Sequence, residues 1–187
     1  FSRLVKCADN ECEGKRLTVP VNLLLDEFPN IGTINAFHIK ANTVRSRGIN
    51  ISIIFQSISQ LKNRYPHDMW SEIIGACDTH IFLGSSDPTT AEYISDRSGE
   101  VSIAVDTTMK QRNALTPMLM EPAYRQSEGI GRRMLLTPDE VQRLRQEEML
   151  IILRGQNVLK AEKLDYAKHP DSDLFRPVSI EGFPARE

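Results

Sequence analysis

The segment Val21–Glu27, with the sequence VNLLLDE, is an apolar run that stops at two adjacent carboxylates, Asp26 and Glu27. Pro20 and Pro29 bound the segment, and its Val and Leu content is typical of a short strand that is buried on both faces. Strands of this kind belong to parallel sheets covered by helices, in which ligands bind at the carboxyl ends of the strands. The segment therefore predicts an α/β fold with a site where this strand ends.

The two acids at this strand end have two interpretations. Buried carboxylates are costly unless something pairs with them. In a nucleotide-hydrolysing fold, the first acid of such a pair serves a magnesium ion and the second polarises the attacking water, which is the arrangement of a Walker B strand. The alternative is a strand that emerges into solvent, with its acids capping the next helix.

A helix and a second strand support the first interpretation. Thr33–Arg47 has apolar residues at intervals of three and four, as an amphipathic helix does, and Gly48 is placed to end it with a left-handed C-cap. Asn50–Phe55, NISIIF, is a β-branched apolar run that stops at Gln56. Strand, helix and strand make a parallel crossover, so we expect Gln56 beside the acid pair. A neutral amide there can sense the γ-phosphate or orient water; alternatively, it is the first polar residue of a loop.

Three stretches together resemble the C-terminal half of the nucleotide-binding domain of type IV secretion coupling proteins: LLLDEFPNIG (Leu23–Gly32), TVRSRGINISIIFQSISQL (Thr43–Leu61) and THIFLGSSDPTTAEYIS (Thr79–Ser95). These proteins are the TraG/TraD-type conjugation ATPases, relatives of the FtsK and HerA motors. The resemblance extends to LIILRGQNVLKAEK (Leu150–Lys163). It is specific because it combines the acid pair, R-x-R-G before the second strand and F-Q-S-x-S-Q-L after it, whereas each motif alone is weak.

The resemblance implies roles for four residues. Asp26 would be the Walker B acid that holds Mg²⁺ through water, and Glu27 would activate the attacking water. Gln56 would sense the phosphate, and Arg45 would be an arginine finger that reaches the nucleotide of a neighbouring subunit. The alternative for Arg45 is a solvated cation near a helix C-terminus, where it stabilises the helix dipole.

The phosphate-binding motif of such a site is missing from the sequence. No G-x-x-x-x-G-K-[ST] motif occurs in the 187 residues, and the glycine-dense stretch Gly129–Arg133 lacks the Lys and the strand-to-helix context of a phosphate cradle. Without these groups the charge of the transition state is not stabilised. We therefore expect a fragment, opening at Phe1 rather than Met, that neither binds ATP tightly nor hydrolyses it. ATP and Mg²⁺ would be cofactors of the intact protein.

The composition is that of an ordinary globular protein, with 40% hydrophobic and 26% charged residues. A formal net charge of −2 argues against a protein that binds DNA over its whole surface. It permits a pore with a local basic lining. Three cysteines fit a reducing cytosol, and Cys7 and Cys12 have no second ligand pair for zinc. The sequence has no run of about 18 apolar residues that spans a bilayer. The resemblance places membrane helices upstream of these residues.

Later segments predict further strands. Thr79–Gly84 is a third buried strand, Met149–Leu153 is another, and Val158–Tyr166 alternates like the edge of an antiparallel hairpin. Val101–Asp106 alternates as a half-exposed strand, but residues 100–136 as a whole are expected to be irregular. Their cations permit contact with a subunit interface or with DNA phosphates, and a solvated, disordered loop is an equal alternative.

The sequence thus predicts an α/β, RecA-like domain of the P-loop NTPase type. It would have a mainly parallel sheet flanked by helices and a C-terminal antiparallel hairpin, without the Walker A part. Residues 1–168 would be the C-terminal portion of the motor domain, and residues 169–187 a surface tail.

The function implied by the resemblance is that of a coupling ATPase that drives relaxase-bound DNA into a secretion channel. The intact protein would be a homo-hexamer at the cytoplasmic face of the bacterial cell membrane, with DNA, the relaxase and the ATPases of the channel as partners. The fragment itself would be soluble and monomeric. The alternatives are a catalytically silent docking module and a DNA translocase of the FtsK or HerA type.

Overall fold

The computed structural model describes residues 2–110 and 124–174. The helices are α1 (Ser2–Glu11), α2 (Phe37–Thr43), α3 (Ile58–Arg64), α4 (Met69–Gly75), α5 (Pro88–Ser98) and α6 (Pro138–Gln142). The strands are β1 (Val21–Leu25), β2 (Ile49–Ile53), β3 (Thr79–Phe82), β4 (Glu100–Lys110), β5 (Tyr124–Met134), β6 (Glu148–Leu153) and β7 (Leu159–Glu162). No helix in the described ranges is both long enough and apolar enough to cross a membrane.

β1 and β2 form a parallel pair, with Val21 opposite Ile49 and Leu25 opposite Ile53. The chain passes from one strand to the other through α2 and a short 3₁₀ turn, Arg45–Arg47. The parallel crossover that the sequence predicts is therefore confirmed. Since parallel strands end at the same edge of a sheet, the residues that follow β1 and β2 lie at one edge.

Helix α2 is shorter than the sequence predicts, because it begins at Phe37 rather than Thr33. Ala36 has a left-handed backbone (φ 54°), which separates Phe37 from the preceding residues. The helix also ends earlier than predicted, at Thr43; Gly48 instead ends the 3₁₀ turn Arg45–Arg47, where it lies at φ 76° and donates its N–H to the carbonyl of Arg45. Glycine is suited to this position because it adopts positive φ without steric cost.

The expectation of a mainly parallel sheet is corrected by the later strands. β3 pairs antiparallel with β6, and β6 pairs antiparallel with β7. Within residues 2–110 and 124–174 no ladder joins β3 to β2. An apolar run indicates that a strand is buried, but it does not indicate the direction of the neighbouring strand. The predicted C-terminal antiparallel hairpin is confirmed as β6 and β7.

β4 and β5 form a long antiparallel ribbon of eleven residues in each strand. The irregular chain expected over residues 100–136 is thus corrected on both flanks, while residues 111–123 lie outside the described ranges. The β5 sequence has few apolar residues, so it lacks the alternation that identifies a strand. Gly131 suits the ribbon, since a Cβ at this position would lie 2.8 Å from Cγ2 of Val105.

Two apolar clusters hold the elements together. The first joins the parallel pair to α2, α3 and α4, and its buried residues are Phe28, Phe37, Ile58, Leu61, Tyr65, Ile73 and Ile74. The second joins β3 and β6 to α5 and α6, and its buried residues are Phe82, Ala91, Ile94, Val141, Leu150 and Ile152. Tyr93 packs against both clusters, so α5 connects the two halves of the core.

Some strand side chains remain uncovered by the described residues. Leu24 in β1 is 69% exposed, while Ile81 in β3 and Leu83 just after it are 59% and 54% exposed. Strands of α/β proteins are ordinarily covered on both faces. We call Leu24, Ile81 and Leu83 the uncovered strand residues.

Candidate active site

The acid pair and the glutamine lie at the same edge of the sheet. Asp26 and Glu27 follow β1 directly, and both are exposed. The N–H of Ile54 donates to the last carbonyl of β1 (2.9 Å), and the N–H of Phe28 donates to the carbonyl of Ile54 (2.9 Å). The two chains therefore stay paired beyond the acids. Gln56, also exposed, comes two residues after Ile54.

Glu27 has a strained backbone. Its φ of 46° and ψ of 43° lie in the left-handed region, which is uncommon for residues other than glycine. Such a conformation costs on the order of 1–3 kcal/mol and persists only where the surroundings fix it. Here an Asp26 oxygen (Oδ1) accepts the N–H of Glu27 at 2.9 Å, and the next residue, Phe28, is fully buried. The strain is thus located at an exposed acid whose neighbour in the chain is a buried aromatic ring.

Aromatic packing fixes the segment that follows the acids. The ring of Phe28 stacks on Tyr65 with centroids 5.3 Å apart, and it also contacts Phe37 at 4.6 Å. The Tyr65 hydroxyl accepts the N–H of Ile34 at 3.1 Å. Because these groups are held in the first core cluster, the turn carrying Glu27 has a rigid support.

Sequence reasoning missed two amides near Glu27: one contacts its carboxylate, and the other contacts the first amide. Nδ2 of Asn30 donates to Oε2 of Glu27 at 2.9 Å, and Nε2 of Gln60 donates to Oδ1 of Asn30 at 3.3 Å. Both amides belong to the motifs that carry the family resemblance. The available signal was therefore their presence in those motifs, but only the fold shows that they meet.

A second polar cluster supports the segment of Gln56. The carbonyl of Gln56 accepts the Ser85 hydroxyl at 3.4 Å. Asp87 caps α5 by accepting the N–H of Thr90 at 3.0 Å, and it also accepts the hydroxyls of Thr90 (2.6 Å) and Ser59 (2.8 Å). Burial disfavours the charged form of Asp87, but these hydrogen bonds outweigh it and hold the pKa of Asp87 below its ordinary value.

Arg45 lies away from this edge. It precedes β2, at the opposite end of the strand from Gln56, and its Nη1 is 2.6 Å from Oδ2 of Asp78. Arg154 approaches the same carboxylate, with Nη1 3.2 Å from Oδ1. The hydrogen bond from Arg154, together with the charge of Arg45, holds the pKa of Asp78 below its usual range. The structure therefore does not bring Arg45 to the acids of its own chain, and its role toward a neighbouring subunit stays a prediction.

The donor atoms at the edge suit Mg²⁺. This ion usually takes one or two carboxylates and completes its shell with waters and phosphate oxygens. Asp26 offers one exposed carboxylate, of which Oδ1 is already oriented by a backbone N–H. Asp26 is thus a fitting water-mediated ligand, although no group of three or more His, Cys, Asp or Glu side chains that could hold a metal occurs in the described ranges.

Comparison with known proteins gives the family. Residues 20–146 match a protein family described as the TraM recognition site of TraD and TraG. The chain belongs to this family. The resemblance to TraG/TraD-type proteins noted in the sequence is thereby confirmed.

Curated relatives carry consistent names. The chain is 31% identical over 149 residues to a conjugal transfer protein TraG of Rhizobium radiobacter, covering 79% of the chain and 22% of that relative. It is 28% identical over 153 residues to the type IV secretion system-coupling protein VirD4 of Bartonella henselae, covering 81% of the chain and 23% of VirD4. The chain thus spans less than a quarter of the length of these relatives.

Solved structures show the same fold. The bacterial conjugative coupling protein TrwBdeltaN70, crystallised with sulphate, matches with a TM-score of 0.58 at 20% identity, over 76% of the chain and 30% of that protein. The plasmid coupling protein TrwB in complex with ADP and Mg²⁺ matches with a TM-score of 0.57 at 20% identity, over 81% of the chain and 33% of TrwB. The predicted α/β class is confirmed, and the chain shares its fold with TrwB.

Proposed function

We propose that the chain is the C-terminal part of the motor domain of a type IV secretion coupling ATPase, which drives relaxase-bound DNA into the secretion channel. The observation that carries the proposal is the shared sheet edge: Asp26, Glu27 and Gln56 follow two paired parallel strands. The names of the relatives and the ADP and Mg²⁺ bound to TrwB support it.

Each residue at the edge has a distinct task. Asp26 holds the hydration shell of Mg²⁺, an ion that, when bound, neutralises charge on the phosphates. Glu27 accepts a hydrogen bond from the attacking water through Oε1, since Oε2 is occupied by Asn30. The amide of Gln56 donates to the γ-phosphate and adds no negative charge beside it. Arg45 acts across a subunit boundary in a homo-hexamer.

The wider setting follows from the same proposal. These 187 residues contain no G-x-x-x-x-G-K-[ST] motif. The phosphate-binding loop therefore belongs to another part of the intact protein. The intact protein works at the cytoplasmic face of the cell membrane with DNA, the relaxase and the ATPases of the channel as partners. Family membership favours this coupling role over a translocase of the FtsK or HerA type.

Replacing the water-activating acid tests the proposal. Glu27→Gln in the full-length protein is expected to abolish ATP turnover while nucleotide binding persists, because the amide cannot take a proton from water. Turnover is measured by phosphate release and binding by titration with a fluorescent ATP analogue. Glu72→Gln, at an exposed position of α4, is the matched control and keeps wild-type turnover. Unchanged turnover in Glu27→Gln removes Glu27 from the mechanism.

A second candidate function is supported by the description of the family, which names recognition of TraM. In this case the chain is a docking module that binds a partner and needs no ATP chemistry. The measurement that favours it is tight binding of a TraM-type protein by this chain, combined with undiminished DNA transfer in cells carrying Glu27→Gln. Loss of transfer in that variant favours the motor instead.

A further inference from the structure

We infer that Asn30 and Gln60 form an amide relay that positions the carboxylate of Glu27 and ties it to the segment carrying Gln56. The inference rests on the proposed role of Glu27 in ATP hydrolysis. Its basis is a continuous chain of hydrogen bonds, in which Gln60 donates to Asn30 at 3.3 Å and Asn30 donates to Glu27 at 2.9 Å. Both amides are positioning residues, since both act through the carboxylate of Glu27.

The polarity of the relay is fixed by its last member. An ionised carboxylate can only accept hydrogen bonds, so Asn30 must turn its NH₂ group toward Glu27. The carbonyl oxygen of Asn30 then faces Gln60, which must in turn present its own NH₂ group. One oxygen of Glu27 is held in this way, and the other remains available to a water molecule. The relay thus sets the orientation of the carboxylate without competing for the water.

The far end of the relay is anchored in a helix. Gln60 is half-buried in α3, and its N–H donates to the Ser57 hydroxyl that caps this helix (3.2 Å). Its neighbours in α3, Ile58 and Leu61, are buried in the first core cluster. Gln56 immediately precedes the capping residue, so the relay ties the carboxylate of Glu27 to the segment that carries Gln56.

The relay is tested with variants of Asn30 in the full-length protein. Asn30→Ala is expected to lower kcat for ATP hydrolysis about tenfold with little change in KM, because binding does not depend on the orientation of Glu27. Asn30→Asp is expected to be worse than Asn30→Ala, because a second carboxylate repels that of Glu27. A purely structural role predicts the reverse order, since Asp has nearly the shape of Asn.

Gln60 provides the second arm of the test. Gln60→Ala should lower kcat in the same way, and the double variant Asn30→Ala with Gln60→Ala should be no worse than Asn30→Ala alone, because both changes act through one carboxylate. Asn63→Ala is the control: Asn63 lies on the same helix and lines the same recess as Asn30 and Gln60, but among the described residues no hydrogen bond joins it to either amide. Thermal unfolding of each variant verifies that it is folded.

The outcomes separate the relay from the proposed function. If Glu27→Gln keeps turnover, the proposed role of Glu27 fails and the relay fails with it, while the ATPase activity itself stands. If Glu27→Gln abolishes turnover but Asn30→Ala keeps the wild-type kcat, or Asn30→Asp exceeds Asn30→Ala, the relay alone is overturned. Strictly multiplicative losses in the double variant also overturn it.

Discussion

At the scale of single residues, Glu27 and Arg45 lie at opposite ends of the parallel strands. Glu27 stands at the carboxyl end in a left-handed conformation, supported by the buried ring of Phe28. Arg45 stands at the amino end, where Asp78 accepts from both Arg45 and Arg154. The two arginine side chains are 82% and 81% exposed, so each is accessible to a neighbouring molecule.

The shared carboxylate offers a matched pair of variants. Arg45→Ala in the intact protein is expected to reduce ATP turnover roughly 10³-fold, the loss that follows removal of an arginine finger. Arg154→Ala removes the other hydrogen bond to Asp78 and should keep turnover near wild type. Steady-state rates measured at a protein concentration that supports assembly decide the matter. Equal effects of the two changes would mean that Arg45 merely pairs with Asp78.

At the scale of elements, a hydrogen-bonded contact between α3 and α5 supports the segment that carries Gln56. Asp87 caps α5 and at the same time accepts the Ser59 hydroxyl from α3. Two helix starts are therefore held by one carboxylate, which stabilises the fold only while it is ionised. The stability of this contact between α3 and α5 is therefore expected to fall at acidic pH.

Asp87→Ala should destabilise the chain by about 2 kcal/mol at pH 7, from the lost helix cap and the lost hydroxyl contacts. The pKa of Asp87 is depressed in the folded state, so its contribution is present above the ordinary carboxyl value and is lost as the pH falls through the folded value. Urea unfolding of both proteins should therefore show a difference that shrinks below about pH 4.

The exposed Asp96, in the same helix, provides the control. Asp96→Ala should change the free energy of unfolding little at any pH. A difference between wild type and Asp87→Ala that stays constant from pH 7 to pH 3 would contradict the assigned role of the Asp87 charge.

The same elements show how far the sequence predicts the fold and the site. The β1–β2 crossover and the C-cap at Gly48 were predictable because they depend on apolar period and on glycine, which are local. The β3–β6 pairing joins strands far apart in the sequence, and β5 lacks apolar alternation. Neither feature could therefore be predicted from the sequence. The Asn30–Gln60 contact depends on how α3 packs beside the turn that follows β1. The spacing of residues in the sequence does not indicate this packing.

At the scale of the whole molecule, two clusters share one core through Tyr93. The edge that carries Asp26, Glu27 and Gln56 follows β1 and β2, and no ladder among the described residues joins β2 to β3. The chain covers only a third of TrwB and at most a quarter of the curated relatives it matches. The unit that hydrolyses ATP is therefore proposed to be larger than these 187 residues.

This proposal has a direct consequence for the isolated chain. At micromolar concentration the 187-residue protein is expected to release no phosphate from ATP above background, because its sequence contains no G-x-x-x-x-G-K-[ST] motif to bind the β- and γ-phosphates. The assay compares wild type with Glu27→Gln, which should be indistinguishable. A robust magnesium-dependent rate that the substitution removes would show that the site is complete in this chain.

The uncovered strand residues Leu24, Ile81 and Leu83 also set how the isolated chain behaves in solution. Apolar surface left facing water is a site of self-association. Sulfate and phosphate salts strengthen its burial because they are excluded from the protein surface. Concentrating the chain in such salts therefore favours adhesion between copies through these strands, and mild chaotropic additives oppose it.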